Sequence, residues 1–217
     1  MLNSSDSEIL EAGIDEAGRG CLSGRVYVGC VILPNEDKFP DEKYLGIKDS
    51  KKLSRKKRTE LAKYIKDNAI EYSVAWSDLE EIERKNILHA TISAMHKSLD
   101  KLSNIPDNIL VDGNYFKIYT DRDGMIVPHQ TVKSGDNLYR NIAAASILAK
   151  VGHDEYVLDL LEKNPDCEKY DWRNNMCYGT KKHLDAIKKY GISKFHRKTF
   201  GICKNYDLQV SKSLNDS

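Results

Sequence analysis

The stretch that decides the reading is Gly13-Ile14-Asp15-Glu16-Ala17-Gly18-Arg19-Gly20, with the β-prone run Arg25–Leu33 close behind it. In that run Val26, Tyr27, Val28, Val31 and Ile32 are β-branched or aromatic and suit a pleated, buried strand. Gly13 to Glu16 reads as the end of a short strand. The glycine-containing segment Gly18–Gly24 reads as a turn, so the two runs predict a hairpin. Asp15 and Glu16 therefore sit at a strand-to-turn step. Neighbouring strand side chains point to opposite faces, so these two acids converge on one ion only if the chain leaves strand geometry there, which the glycines that follow make easy.

Working outward, Ser54 can cap a helix to about Asn68 with Leu61 and Ile65 on its buried face. Ala69–Trp76 reads as a strand, and Asp78 can cap a short helix. Asn86–Leu102 is a longer helix, in which Ile87, Ile92, Met95, Leu99 and Leu102 recur near helical spacing. Asn108–Val111 is a short apolar strand that ends at Asp112, and Met125–Val132 is a further strand. Tyr139–Leu161 is a long helix containing Ala143-Ala144-Ala145, stopped by Asn164-Pro165. Gly179–Tyr190 is a last helix with Gly191 as its C-cap. This order of elements is α/β: a mixed sheet with helices packed on it.

The 217 residues, 40% of them hydrophobic, can build one sizeable core with a small appended lobe. A net charge of +1 gives no whole-chain argument for a nucleic-acid partner, so any such argument must be local. Two segments supply it. Lys48–Arg58 holds seven basic residues and one acid, and Gly179–Lys204 holds eight Lys or Arg and one acid. They can track a duplex backbone, although helix faces rich in lysine are commonly just solvated. Five cysteines with no C-x-x-C spacing argue against a zinc site and for reduced thiols in the cytoplasm. The polar, acidic start Met1–Glu11 does not read as a signal peptide, and no membrane-spanning run is expected.

Three strand ends carry acids: Asp15-Glu16, Asp112 in Leu110-Val111-Asp112-Gly113, and Asp136 in Val132-Lys133-Ser134-Gly135-Asp136. Clustered carboxylates repel unless cations lie between them, and an all-oxygen ligand set suits Mg²⁺ or Mn²⁺. Two such ions are the standard machinery for in-line phosphodiester displacement. A dinucleotide-binding reading fails, because Gly18-x-Gly20-x-x-x-Gly24 is one residue too long and has acids where a phosphate would sit.

At these residues the chain resembles ribonuclease HII. The resemblance runs through Gly13–Gly20, Asp49-Ser50-Lys51-Lys52-Leu53, Val111-Asp112-Gly113, Ala143–Val151, Tyr178-Gly179-Thr180 with His183, and His196-Arg197 with Phe200. Ala17 and Arg19 stand where the sister family, ribonuclease HIII, typically has serine and lysine. The resemblance implies a ribonuclease H-like core over 10–163, a C-terminal helical lobe of the same catalytic unit over 164–205, and a flexible tail from 206 to 217. It implies an endonuclease that hydrolyses the RNA strand of RNA–DNA hybrids and cuts 5′ of ribonucleotides embedded in duplex DNA, leaving 3′-hydroxyl and 5′-phosphate ends. Asp15, Glu16, Asp112 and Asp136 are then the catalytic, metal-binding acids for two Mn²⁺ or Mg²⁺ ions. Asp136 is preferred to Asp154, which is assigned a supporting role. Gly18, Arg19 and Gly20 would sense the 2′-hydroxyl, Tyr178 would stack on the adjacent deoxyribose, and Lys51 would contact phosphate. A monomer is expected, and Val210–Ser217 offers no clamp-binding peptide. The chain departs from the family pattern at Cys21 and Arg25, where prolines are common, at Cys177, where glycine is usual, and at His153, where arginine is usual.

Overall fold

The computed structural model describes residues 9–34 and 42–206. Nearly all of the expected flexible tail, 207–217, lies outside the described residues. The expected hairpin is present: β1 (Glu11–Ala17) pairs antiparallel with β2 (Val26–Ile32), Gly13 opposite Val31 and Ala17 opposite Tyr27. β2 pairs antiparallel with β3 (Glu71–Ser77). On its other side β1 runs parallel to β4 (Asn108–Asp112), and β4 runs parallel to β7 (His129–Val132). The order β3-β2-β1-β4-β7 is a mixed sheet, as the sequence predicts.

Every residue of β2 is buried because helices cover both faces of the sheet. One face packs on α2 (Arg55–Asn68) and α4 (Arg140–Lys163), where Val31, Leu61, Ile65, Ile147 and Leu148 form a core. The other packs on α3 (Leu79–Leu99), where Ile14, Val28, Ile109 and Val111 meet Met95 and Leu99. Each fully buried aliphatic side chain contributes about 1.5–3 kcal/mol. The alanine run lets α4 lie close on the sheet: a Cβ at Gly29 would sit 2.3 Å from the Ala145 carbonyl oxygen.

Ser54 and Asp78 cap their helices as expected, and Thr180, which the sequence reading did not single out, caps α6 (Lys181–Tyr190) in the same way. Each side chain accepts from a backbone N–H three residues on. The two helices expected from Asp78 and Asn86 run on as one element, broken where Asn86 takes a left-handed φ of 66° and its side chain accepts from the His89 N–H. The single strand expected over Met125–Val132 is instead two pieces. Pro128 has no N–H to give and separates β6 (Ile126–Val127), which pairs with β5 (Tyr119–Thr120), from β7.

Two short helices and several 3₁₀ turns escape a periodicity reading. They include α1 (Glu42–Leu45), the turn Ser50–Lys52, and Pro165–Tyr170 followed by α5 (Trp172–Asn175). The last two lead into α6 (Lys181–Tyr190). Together they close a third core in which Tyr170, Trp172, Met176 and Ile187 meet Val157 and Leu161 of α4 and Cys21 and Leu22 of the turn after β1. That shared core places the turn between the sheet and the C-terminal segment.

Candidate active site

β1 and β4 are parallel and end side by side, so Asp15, Glu16 and Asp112 arrive at one edge of the sheet. Asp15 is 4% exposed and faces α4. Burial pushes its carboxyl well above the usual carboxylate range, the charges of Glu16 and Asp112 push the same way, and a bond to the Ser146 hydroxyl opposes them. Glu16 is raised by burial. Its 3.4 Å pairing with Arg19 and the positive charge of Lys51 oppose this, while Asp112 adds to it.

Asp112 reaches the next segment by accepting the Gly135 N–H at 2.7 Å. This brings in the 3₁₀ turn Gly135–Asn137, entered through Ser134 in the left-handed region. Asp136 on that turn is 3% exposed. It is raised by burial and by the neighbouring charges of Asp49 and Asp112, with Lys51 opposing. All four acids are thus in electrostatic contact through Asp112. Among the described residues, however, no three His, Cys, Asp or Glu side chains already surround a single point. The chain does not leave strand geometry at Glu16. β1 stays in register through Ala17, and only Gly18, at φ +83°, turns away. The reason is the partner strand: Val28 and Tyr27 hold Glu16 and Ala17 in the ladder.

Asp49 is the acid that the sequence reading left out. It is buried, caps the Ser50–Lys52 turn through the Lys51 N–H, and shares a side-chain hydrogen bond with Asp136. Its signal was its position as the lone acid among seven basic residues. Ser50 bonds Ser146 at 2.9 Å, and Lys52 bonds the Asn137 side chain, so this segment straps the site to α4. Lys51 itself is exposed beside the acids.

Gly18–Gly20 and Tyr178 lie together at the next corner. Cys21 pairs with Tyr178 as an isolated bridge, and a Cβ on Gly20 would be 4.0 Å from the Tyr178 ring. Tyr178 is 37% exposed, and its ring centre lies 5.3 Å from the Lys150 ammonium. Asp154 belongs to this corner and not to the acid cluster. Lys150 at 2.7 Å, His153 at 3.3 Å and Arg58 at 3.7 Å surround it. Burial works to raise its carboxyl, but the bonds from His153 and Lys150 win and hold it below the usual range. Along α4, Ser146, Lys150 and Asp154 thus form one stripe from Asp15 towards Tyr178.

A family model described as Ribonuclease HII matches residues 12–203. The chain belongs to the ribonuclease HII family. It is 48% identical over 200 residues to Ribonuclease HII of Christiangramia forsetii, covering 92% of this chain and 94% of that one. It is 42% identical over 197 residues to Ribonuclease HII of Neisseria meningitidis serogroup B, covering 91% and 95%. The crystal structure of ribonuclease H2 from Pyrococcus horikoshii shares the fold, with a TM-score of 0.72 at 22% identity over 91% of this chain and 96% of that one. A structure of the PCNA:RNase HII complex from Archaeoglobus fulgidus superposes with a TM-score of 0.70 at 25% identity over 89% and 96%. Membership of ribonuclease HII makes this chain a metal-dependent hydrolase of RNA–DNA hybrids.

The departures from the ribonuclease HII pattern have local reasons. Cys21 uses its N–H, which a proline lacks, to bond the Gly18 carbonyl at 3.2 Å. The Arg25 guanidinium lies between Trp76 and Tyr156, 5.0 and 4.8 Å from their ring centres. Cys177 sits at φ +66°, where glycine is the unstrained residue. His153 is buried and neutral, its ring held below the usual imidazole range chiefly by burial.

The basic segments divide. Lys48, Lys51, Lys52, Arg55, Lys56 and Lys57 face solvent. Arg58 turns inward, where it bonds the Ser50 and Leu53 carbonyls. In the C-terminal segment Arg197 is fully buried, as are His183 and His196, so none of the three faces a phosphate. Among the described residues no helix is long and apolar enough to cross a membrane.

Proposed function

We propose that Asp15, Glu16, Asp112 and Asp136 hold two divalent ions, Mn²⁺ or Mg²⁺, and that the enzyme cuts on the 5′ side of a ribonucleotide, in hybrids and in duplex DNA that contains only one. The observation that carries this reading is the meeting of four acids from three separate segments through Asp112, with three of the carboxyls pushed towards their neutral forms by burial and by one another. Such a set is costly as it stands and matches a hard cation in charge and in donor type. Among the described residues no histidine or thiol competes there for a softer metal. When bound, ions of this kind activate water and offset charge on the phosphate and the leaving 3′-oxygen.

The chain's own residues do the rest. Ser146 orients Asp15 by a hydrogen bond, and the Gly135 N–H orients Asp112. Glu16 is paired with half-exposed Arg19, a pairing weak enough to exchange for another partner. Lys51 stands exposed beside the acids, where it can meet the substrate phosphate. Gly18, Arg19 and Gly20 offer backbone groups without bulky side chains to the 2′-hydroxyl, the group that tells RNA from DNA. The half-exposed Tyr178 ring, one residue width from Gly20, stacks on the adjacent deoxyribose. Residues 10–163 and 164–205 act as one catalytic unit, and the active species is a monomer. Five buried, unpaired thiols fit a cytoplasmic setting.

The test is cleavage of a duplex with a single embedded ribonucleotide by Asp15→Asn and Asp112→Asn, alongside calorimetric Mn²⁺ titration. We expect both variants to lose about 10³-fold or more in rate, since a metal supplies several kcal/mol of charge stabilisation in the transition state. Both should also bind Mn²⁺ more weakly. Near-normal cutting by either would defeat the assignment.

A further inference from the structure

The turn after β1 and Tyr178 are held by one dipeptide in the C-terminal segment. Arg197 is fully buried, yet no carboxylate lies against it among the described residues. Its guanidinium instead donates to four carbonyls of the turn: Nη2 to Gly18 at 2.8 Å and Arg25 at 3.0 Å, Nη1 to Arg19 at 2.9 Å, and Nε to Gly24 at 3.0 Å. The backbone joins in. The Arg197 N–H donates to Leu22 O at 2.8 Å, the Gly24 N–H donates to Phe195 O at 2.9 Å, and Ser23 pairs with His196.

The neighbouring side chain reaches the other segment. The Ser193 N–H donates to His196 Nδ1 at 2.9 Å, and His196 Nε2 lies 3.1 Å from His183 Nε2. His183 Nε2 also accepts from the Trp172 indole at 3.0 Å, so the bond between the two rings is donated by His196. His183 Nδ1 then carries the proton that bonds the Tyr178 carbonyl at 3.0 Å. One run of neutral imidazole hydrogen bonds therefore ends on Tyr178, while its neighbour in sequence ends on Gly18 and Arg19.

We propose that His196-Arg197 is the positioning element that fixes the Gly18–Gly20 turn and Tyr178 relative to each other, and so sets the preference for a lone ribonucleotide over a continuous RNA strand. This rests on the reading above, in which those two segments contact the substrate. A continuous RNA strand presents a 2′-hydroxyl at every step, so many registers are productive and a loosened spacing is tolerated. A lone ribonucleotide offers one register, in which the turn must meet the ribose while Tyr178 meets the sugar beside it. Neither His196 nor Arg197 is exposed to substrate, so neither is a catalytic residue.

Arg197→Lys keeps the charge, but a single nitrogen cannot span four carbonyls. With the variant folded at the assay temperature, we expect kcat on a lone ribonucleotide to fall by about tenfold to a hundredfold more than kcat on an all-RNA hybrid, with KM changing little, as misplacement on an ångström scale does. An unchanged ratio of the two rates overturns the proposal. Tyr178→Ala is run alongside. If it shifts the ratio while Arg197→Lys does not, only the positioning role falls. If Tyr178→Ala leaves the ratio untouched, the substrate-contact reading falls and this inference with it. Should Arg197→Lys fail to fold, amide hydrogen exchange on the unmodified enzyme decides. The Leu22, Gly24 and Arg197 N–H groups should exchange slowly and together. Rates typical of an exposed turn at Leu22 and Gly24 overturn the proposal.

Discussion

Two buried aspartates, Asp136 on the turn before α4 and Asp154 within α4, have their carboxyls shifted in opposite directions. Asp136 sits among acids: burial, Asp49 and Asp112 all push it up. Asp154 sits between the cations Lys150 and Arg58: burial pushes it up too, but the hydrogen bonds from the His153 ring and Lys150 more than reverse that. The first region is therefore short of positive charge and chemically prepared to receive it, whereas the second is already balanced and needs no ligand to be stable. A carboxylate's fitness for a metal is thus read less from its burial than from what surrounds it.

The largest expected effect separates the two by activity. Asp136→Asn should cost about 10³-fold in cleavage rate, comparable to the loss of any acid that holds a catalytic ion. Asp154→Asn should retain most activity with the same Mn²⁺ dependence. Single-turnover rates across a Mn²⁺ series measure both, and an Asp154→Asn variant as inactive as Asp136→Asn would break the comparison.

Stability should rank them in reverse. Asp154→Ala leaves Lys150 and Arg58 facing each other without their carboxylate, and breaking a buried pair in this way costs about 3–5 kcal/mol. Asp136→Asn instead removes a charge that its surroundings disfavour, so the metal-free variant should unfold at or above the denaturant midpoint of the parent. Urea melts in EDTA read both signs directly.

Much of the frame was legible because it follows from local rules. The hairpin at Gly13–Leu33 came from β-branched runs around glycines, and Ser54 and Asp78 capped helices where their hydroxyl or carboxylate was expected to do so. Pro128 was visible too, but the apolar residues flanking it made one strand look continuous. In the site, the acids at strand ends were readable because parallel strands end together. Arg197 was not: in sequence it is one of eight basic residues in Gly179–Lys204, and nothing local distinguishes a buried guanidinium from a solvated one. Its acceptors are carbonyls more than 170 residues earlier, which any residue type could supply. Asp49 was hidden in the same way, as a minority acid inside a basic run.

A smaller effect should appear on acidification. Burial, followed by the charge of His183, holds His196 down to about 3, and burial holds His183 below the usual range. Both imidazoles are then neutral when folded but gain protons when unfolded below pH ~6.5. Their contribution is fully present above that value and is lost as the pH falls below ~6.5, for His196 over the window down to about 3. For His196 alone the loss is about 2 kcal/mol between pH 6.5 and pH 5. The raised carboxyls of Asp15, Glu16 and Asp136 oppose it, because they favour the folded state as the pH falls. The clean measurement is therefore the imidazole NMR signals themselves. The His196 signal should stay at its neutral position down to pH 5, and that of His183 should move only below the usual imidazole range; a midpoint near 6.5 for His196 would show that the ring-to-ring bond is absent.

The smallest effect tests whether the turn is held by its backbone or by its side chains. The Arg25 guanidinium between Trp76 and Tyr156 faces the outside of the turn, and each such contact at a partly exposed site is worth about 0.5–1 kcal/mol. The Arg25 carbonyl, in contrast, is one of the four that Arg197 grips. Arg25→Ala removes the first and keeps the second. It should lower stability by about 1–2 kcal/mol in urea, the sum of two such contacts. The ratio of rates on a lone ribonucleotide and an all-RNA hybrid should stay at the parent value, because the carbonyl that fixes the turn is untouched. A ratio that shifts as far as in Arg197→Lys would mean that the outer stack, and not the buried guanidinium, sets the shape of the turn.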